Sequence, residues 1–92
     1  MCNIRFDELE LDHIVEFTED STLFVAARET ISGYIRLFLI HNNTGNVYAR
    51  NGRVDSWEQL FGSSREAVLA RLVAARNAKH VPTYRINGSQ NN

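Results

Sequence analysis

The 92-residue chain holds one cysteine, one proline and no apolar run of membrane length. With Cys2 alone, neither a disulfide framework nor a cysteine-based zinc cluster can form within the chain. The longest apolar stretch, Tyr34 to Ile40, is interrupted by Arg36 and falls far short of the roughly 18 residues a membrane helix requires. No membrane association is expected. The first 20 residues carry seven carboxylates and lack a signal-peptide core, so a cytoplasmic location is expected. Glycine-rich phosphate loops, dinucleotide fingerprints and the Ser, His, Asp orders of hydrolases are missing. His13, His41 and His80 show neither i,i+4 nor HxH spacing, which gives no metal-ligand pattern. The expectation is a chain without catalysis, metal or cofactor.

What remains is the composition of one small globular domain, with 43% hydrophobic and 23% charged residues and a formal net charge of −1. A chain of this size buries roughly 60–65% of its unfolded surface, enough for one core. The expected domain covers residues 1–86, with 87–92 as a flexible tail.

The near-zero net charge hides an asymmetry. Residues 1–30 carry eight acids and two bases, whereas residues 31–92 carry three acids and eight bases; nine of the ten bases are arginine. Arginine suits planar, bidentate contacts with carboxylate or phosphate. The acids Asp7, Glu8, Glu10, Asp12, Glu16, Glu19 and Asp20 form a candidate acidic surface for a basic partner. Strict alternation would place Glu8, Glu10 and Asp12 on one strand face at steps of about 6–7 Å. No calcium-loop glycine accompanies them, and a solvated strand face is their plainest reading.

Apolar residues alternate from Leu9 to Phe17, with Leu9, Leu11, Val15 and Phe17 opposite Glu10, Asp12 and Glu16. This predicts a half-buried strand. Turn residues at 18–21 lead to a second strand, Thr22 to Arg28, and Ser32-Gly33 precedes a third, Tyr34 to His41. Asn42-Asn-Thr-Gly45 is a hairpin signal before a fourth strand, Asn46 to Arg50. Asp55 as N-cap and Gly62 as C-cap predict a short helix over 56–61. Ser63-Ser-Arg-Glu66 is a capping box opening a long helix to about Lys79, with Val68, Leu69, Leu72 and Val73 as its apolar stripe. Val81-Pro82 ends that helix, and Thr83 to Ile86 can add an edge strand. The predicted class is α+β: a four-stranded antiparallel meander with a short helix and a long C-terminal helix packed on one face.

One helical layer covers one sheet face, yet the third strand has no polar side. An uncovered apolar face of that size points to a protein partner or a homodimer. Tyr34, Arg36 and Phe38 on the third strand, with the small helix face Ala67, Ala70 and Ala74, are the candidate dimer or docking residues. Arg65, Arg71, Arg76 and Lys79 on the long helix are the basic alternative, suited to phosphate contacts, with Tyr34, Tyr48 or Tyr84 for stacking.

Three resemblances bear on these candidates. Met1-Cys2-Asn3-Ile4 is similar to the start of class II glutamine amidotransferases, whose N-terminal cysteine is the nucleophile. It extends over four residues and has Asn3 where that family has glycine, so Cys2 is read as an ordinary thiol. Residues Asp55 to Lys79 resemble a helix-turn-helix, with Gly62 at the turn, Val68 in the recognition helix, and Ser64 and Arg65 where DNA contacts begin. Glu58, Ser63 and Arg71 depart from that pattern. In type, this small chain of mixed charge without cofactor motifs is similar to phage and mobile-element inhibitors of host machinery, anti-CRISPR proteins among them. The expected function is therefore a noncatalytic protein-interaction module, and the alternative is a nucleic-acid-binding regulator.

Overall fold

The computed structural model describes residues 4–53 and 56–87. Cys2, the expected cap Asp55 and the tail from residue 88 lie outside the described residues. A 3-10 turn (Phe6–Glu8) leads into β1 (Leu9–Phe17), β2 (Thr22–Glu29), β3 (Ile35–His41), β4 (Asn46–Asn51) and β5 (Glu58–Leu60). The helix α1 (Gly62–Ala78) and β6 (Thr83–Ile86) follow. The strands form one mixed sheet in the order β5-β4-β3-β2-β1-β6, antiparallel except for β6, which runs parallel to β1. The α+β class and the β1–β4 meander agree with the sequence reading. Among the described residues the sheet has six strands rather than four, and there is one α-helix rather than two.

The missing short helix is β5. An isolated helical turn is marginal, whereas the free edge of β4 offers both hydrogen bonds and core space. Leu60 lies across from Val47 and is buried beside it. Gly62, at φ +60, then turns the chain from strand to helix instead of ending one. With a strand where the first helix would be, no helix-turn-helix exists here. No side chain caps α1 at Phe61, which is extended.

A β-bulge at Asp12 sets which residues of β1 face inward. Leu11 pairs with Ala27 but His13 pairs with Ala26, so the alternation changes phase between them. Leu9, Leu11, Ile14 and Glu16 consequently share one face, and Glu10, His13, Val15 and Phe17 the other. The unbroken alternation read from the sequence holds only up to the bulge.

The helix covers the first of these faces. Val68 and Leu72 of α1 join Leu9, Ile14, Leu23, Val25, Phe38, Ile40, Val47 and Leu60 in a single buried cluster, with Leu69 packed at its margin. Val73, expected on the same stripe, is 57% exposed. It lies about 140° around the helix from Val68, on the flank turned from the sheet.

The β3–β4 turn is tied to the helix. Gly45 sits at φ +76, and Arg65 donates from Nε to its carbonyl oxygen at 2.7 Å. A Cβ at Gly45 would fall 2.5 Å from Arg65 Nη2. Gly45→Ala is therefore expected to cost about 1–2 kcal/mol, from the left-handed backbone and the displaced guanidinium together. Thermal unfolding checks this. Combined with Arg65→Ala, the two losses should add to less than their sum, because each removes the same contact.

Candidate interaction face

The strand register lays out the uncovered sheet face as rows. One row runs Gln59, Tyr48, Leu39, Phe24, Val15 and Tyr84 from β5 to β6. The row on one side of it holds Arg50, Leu37, Ala26 and His13; the row on the other holds Asn46, His41, Thr22, Phe17 and Ile86. Leu37, Leu39, Phe24, Val15 and Phe17 are half-buried by one another, and Tyr84 and Ile86 are exposed. Among the described residues, no helix or second sheet lies over this face. Trp57 reaches back from the start of β5, meeting Phe24 edge-to-face at 6.5 Å with Arg50 at 5.5 Å from its ring. At the β3–β4 end, Gly33, Tyr34, Ile35, Leu37, Asn51, Gly52 and Arg53 line a pocket of about 250 Å3.

The charge of this face is mainly positive. Arg28 and Arg50 stand on it and Arg53 lines its pocket; Glu10 lies across from Arg28, and the Asp12 carboxylate reaches His13. Its histidines have local partners: His13 Nδ1 lies 2.8 Å from Asp12 Oδ2, and His41 Nδ1 lies 3.4 Å from Thr22 Oγ1 with Tyr48 edge-on.

The docking residues taken from β3 divide between the two faces. Phe38 is wholly buried and Arg36 is 5% exposed, because both point into the helix-covered core; only Tyr34, 52% exposed, is accessible. The alternation within β3 was legible, but the face chosen for docking was the covered one. The accessible set is Ile35, Leu37 and Leu39. Ala70 and Ala74 are exposed and Ala67 is half-buried. Ala74 borders a groove with Leu9, Leu11, Arg71 and Ala78.

Arg36 is instead half of a buried ion pair. Glu29 Oε2 accepts from Arg36 Nε at 2.8 Å and from the Arg5 amide at 3.4 Å, and Oε1 accepts from Ser32 Oγ at 2.8 Å. Burial alone would push the Glu29 carboxyl up. The bonds from Ser32, Arg36 and Arg5, with the Arg36 charge, outweigh that and hold it below its usual value. Gly33, at φ +76, donates its N–H to the Glu29 carbonyl at 2.8 Å, and Tyr34 lies over Arg36 at 5.6 Å. The pair therefore fixes the loop that presents Tyr34 to the pocket.

The acidic set does not form one stripe. Glu10 is on the uncovered face, Glu16 on the other with Arg85, and Glu8 is half-buried with Arg5 at 3.4 Å. Asp12 is at the bulge, Asp7 in the 3-10 turn, and Glu19 and Asp20 lie in the β1–β2 turn, where Asp20 accepts from the Thr22 amide. The basic helix set also disperses: Arg65 binds Gly45, Arg71 is half-buried toward β1, and Arg76 and Lys79 line a groove with Arg85. Among the described residues, no group of three or more His, Cys, Asp or Glu could hold a metal ion, and no helix is long and apolar enough to cross a membrane.

The sequence reading missed Phe24, Trp57, Tyr84 and Ile86 as members of one face. Phe24 lies on β2, Trp57 just before β5, and Tyr84 and Ile86 on β6, and only the β1–β6 pairing and the strand at 58–60 bring them together. No family model matches the chain, and neither a curated protein nor a solved structure does.

Proposed function

We propose that the protein is a noncatalytic interaction module that docks on a protein partner through the uncovered sheet face. The observation carrying this reading is the row Tyr48, Leu39, Phe24, Val15 and Tyr84 with Leu37 beside it, an apolar surface with no second layer over it among the described residues. Soluble domains rarely leave such a contiguous patch without use. Half-buried Leu37, Leu39, Phe24 and Val15 at its centre, with exposed Tyr84 and Ile86 at its edge, favour an apolar protein segment. Arg28 and Arg53, at the end of the face beside the Tyr34 pocket, favour a partner segment that brings a carboxylate to that end of an apolar contact. The pocket by Tyr34 has the size and lining for one apolar anchor side chain of that partner. Binding that occupies a partner's surface is also how an inhibitor of the phage type would act.

An apolar dye bearing a sulfonate mimics this partner chemistry. Under native conditions the protein is expected to bind 1-anilinonaphthalene-8-sulfonate saturably. Leu37→Thr with Leu39→Thr, which keeps strand propensity, should remove most of the signal, and Val73→Thr on the helix should not. A folded monomer at tens of micromolar that binds no dye overturns the reading.

A further inference from the structure

The groove between the end of α1 and β6 has a volume of about 460 Å3 and is lined by Glu16, Arg76, Lys79, Val81, Thr83 and Arg85. Three cations from two elements meet one carboxylate there. Glu16 is engaged, accepting from Arg85 Nε at 3.1 Å. Among the described residues, no carboxylate comes within ion-pair distance of Arg76 or Lys79. A helix C-terminus favours cations through its dipole, which accounts for Arg76 and Lys79. It does not account for Arg85, which arrives from the parallel edge strand. Lys79 holds a left-handed backbone, φ 60, at a position where glycine is the usual residue. Its N–H closes the helix on the Ala75 carbonyl at 3.1 Å, and the chain then returns along β1 to bring Thr83 and Arg85 beside the helix end.

We propose that this groove binds a compact phosphate polyanion of the pyrophosphate type. Arg76 and Arg85 offer guanidinium forks that match phosphate oxygens, Lys79 a point charge, and Thr83 a neutral hydroxyl donor. Val81 is the sole apolar residue in the lining, and Tyr84 belongs to the opposite sheet face. Among the described residues, no aromatic ring lines the groove to stack a base, which directs recognition to the phosphates. The volume lies in the range of small-molecule sites. Such a ligand could be free or could be the phosphate tail of a nucleotide. This site stands apart from the docking face and does not depend on it.

Amide shifts of the full chain, titrated with pyrophosphate at 50 and 150 mM salt, test the proposal. Saturable shifts confined to residues 76–86 are expected, persisting at the higher salt. Arg76→Ala with Lys79→Ala should weaken binding by about tenfold or more, the loss of two charge-assisted contacts. Glu16→Gln frees Arg85 and removes the competing carboxylate, so it should strengthen binding by about threefold; a purely structural brace would give no gain. Arg5→Ala, before the far end of β1, is the unchanged control. ADP binding more tightly than pyrophosphate identifies the nucleotide source, and equal or weaker ADP binding identifies the free anion. The proposal is overturned by no saturable shift at 10 mM pyrophosphate in 50 mM salt, or by shifts unaffected in the double variant. Binding of a single-stranded oligonucleotide without pyrophosphate binding overturns it as well.

Discussion

Glu29→Ala is expected to destabilise the fold by about 3–5 kcal/mol, because it removes the carboxylate that Arg36 Nε binds in a site where both side chains are almost fully buried. That is a large share of the 5–15 kcal/mol typical of a domain. The carboxylate also accepts from Ser32 and the Arg5 amide, so its loss frees the β2–β3 loop and the segment before the 3-10 turn together. Urea denaturation measures the cost. Where the single variant is too unstable to purify, Glu29→Leu with Arg36→Met provides the check. Removing both charges leaves neither unpaired, and stability should return to within about 1–2 kcal/mol of the wild type. A Glu29→Ala loss below about 1 kcal/mol would show that Arg36 finds water in solution.

The same pair sets a pH dependence. The Glu29 carboxyl lies below its usual value of 4.5 in the folded protein, so the unfolded chain binds this proton more readily. Its stabilising contribution is complete above about pH 4.5 and is lost as the pH falls through the lower folded value. The double apolar variant should lose this acid-side component of the pH profile.

Phe38→Ala is expected to cost about 3–5 kcal/mol, whereas Leu39→Ala, one residue along the same strand, should cost about 1 kcal/mol. Phe38 is wholly buried under α1 and its removal leaves a cavity, while Leu39 is half-buried among neighbours on the uncovered face. The ranking inverts for interaction: Leu39→Ala should impair dye or partner binding, and a folded Phe38 variant should retain it. Chemical denaturation and dye titration on the two variants separate the faces. Equal stability costs would mean that a second layer covers Leu39 in solution.

The β1–β4 meander was legible because its alternation and its turn residues, Ser32-Gly33 and Asn42 to Gly45, agree with each other. The helix was legible from its period and its Val81-Pro82 stop. Two features were not. The bulge at Asp12 leaves no mark in a hydrophobic pattern, since one extra residue exchanges the faces without changing composition. Glu58 to Leu60 carries helix-like capping residues around it, and only the open edge of β4 makes it a strand. The docking face was half legible: β3 visibly lacks a polar side, but which side faces the helix depends on the register with Val47 and Ala49. Arg36 therefore read as a surface interruption, although its partner Glu29 lies seven residues earlier, across the β2–β3 loop.

A photo-crosslinking amino acid placed at position 39, and separately at position 73, in cells that naturally produce the protein tests the docking face most directly. Position 39 should yield a discrete crosslinked species, a partner or a second copy, and position 73 none. A discrete adduct from position 73 with none from position 39 would assign the partner to the helix side and contradict the sheet-face assignment.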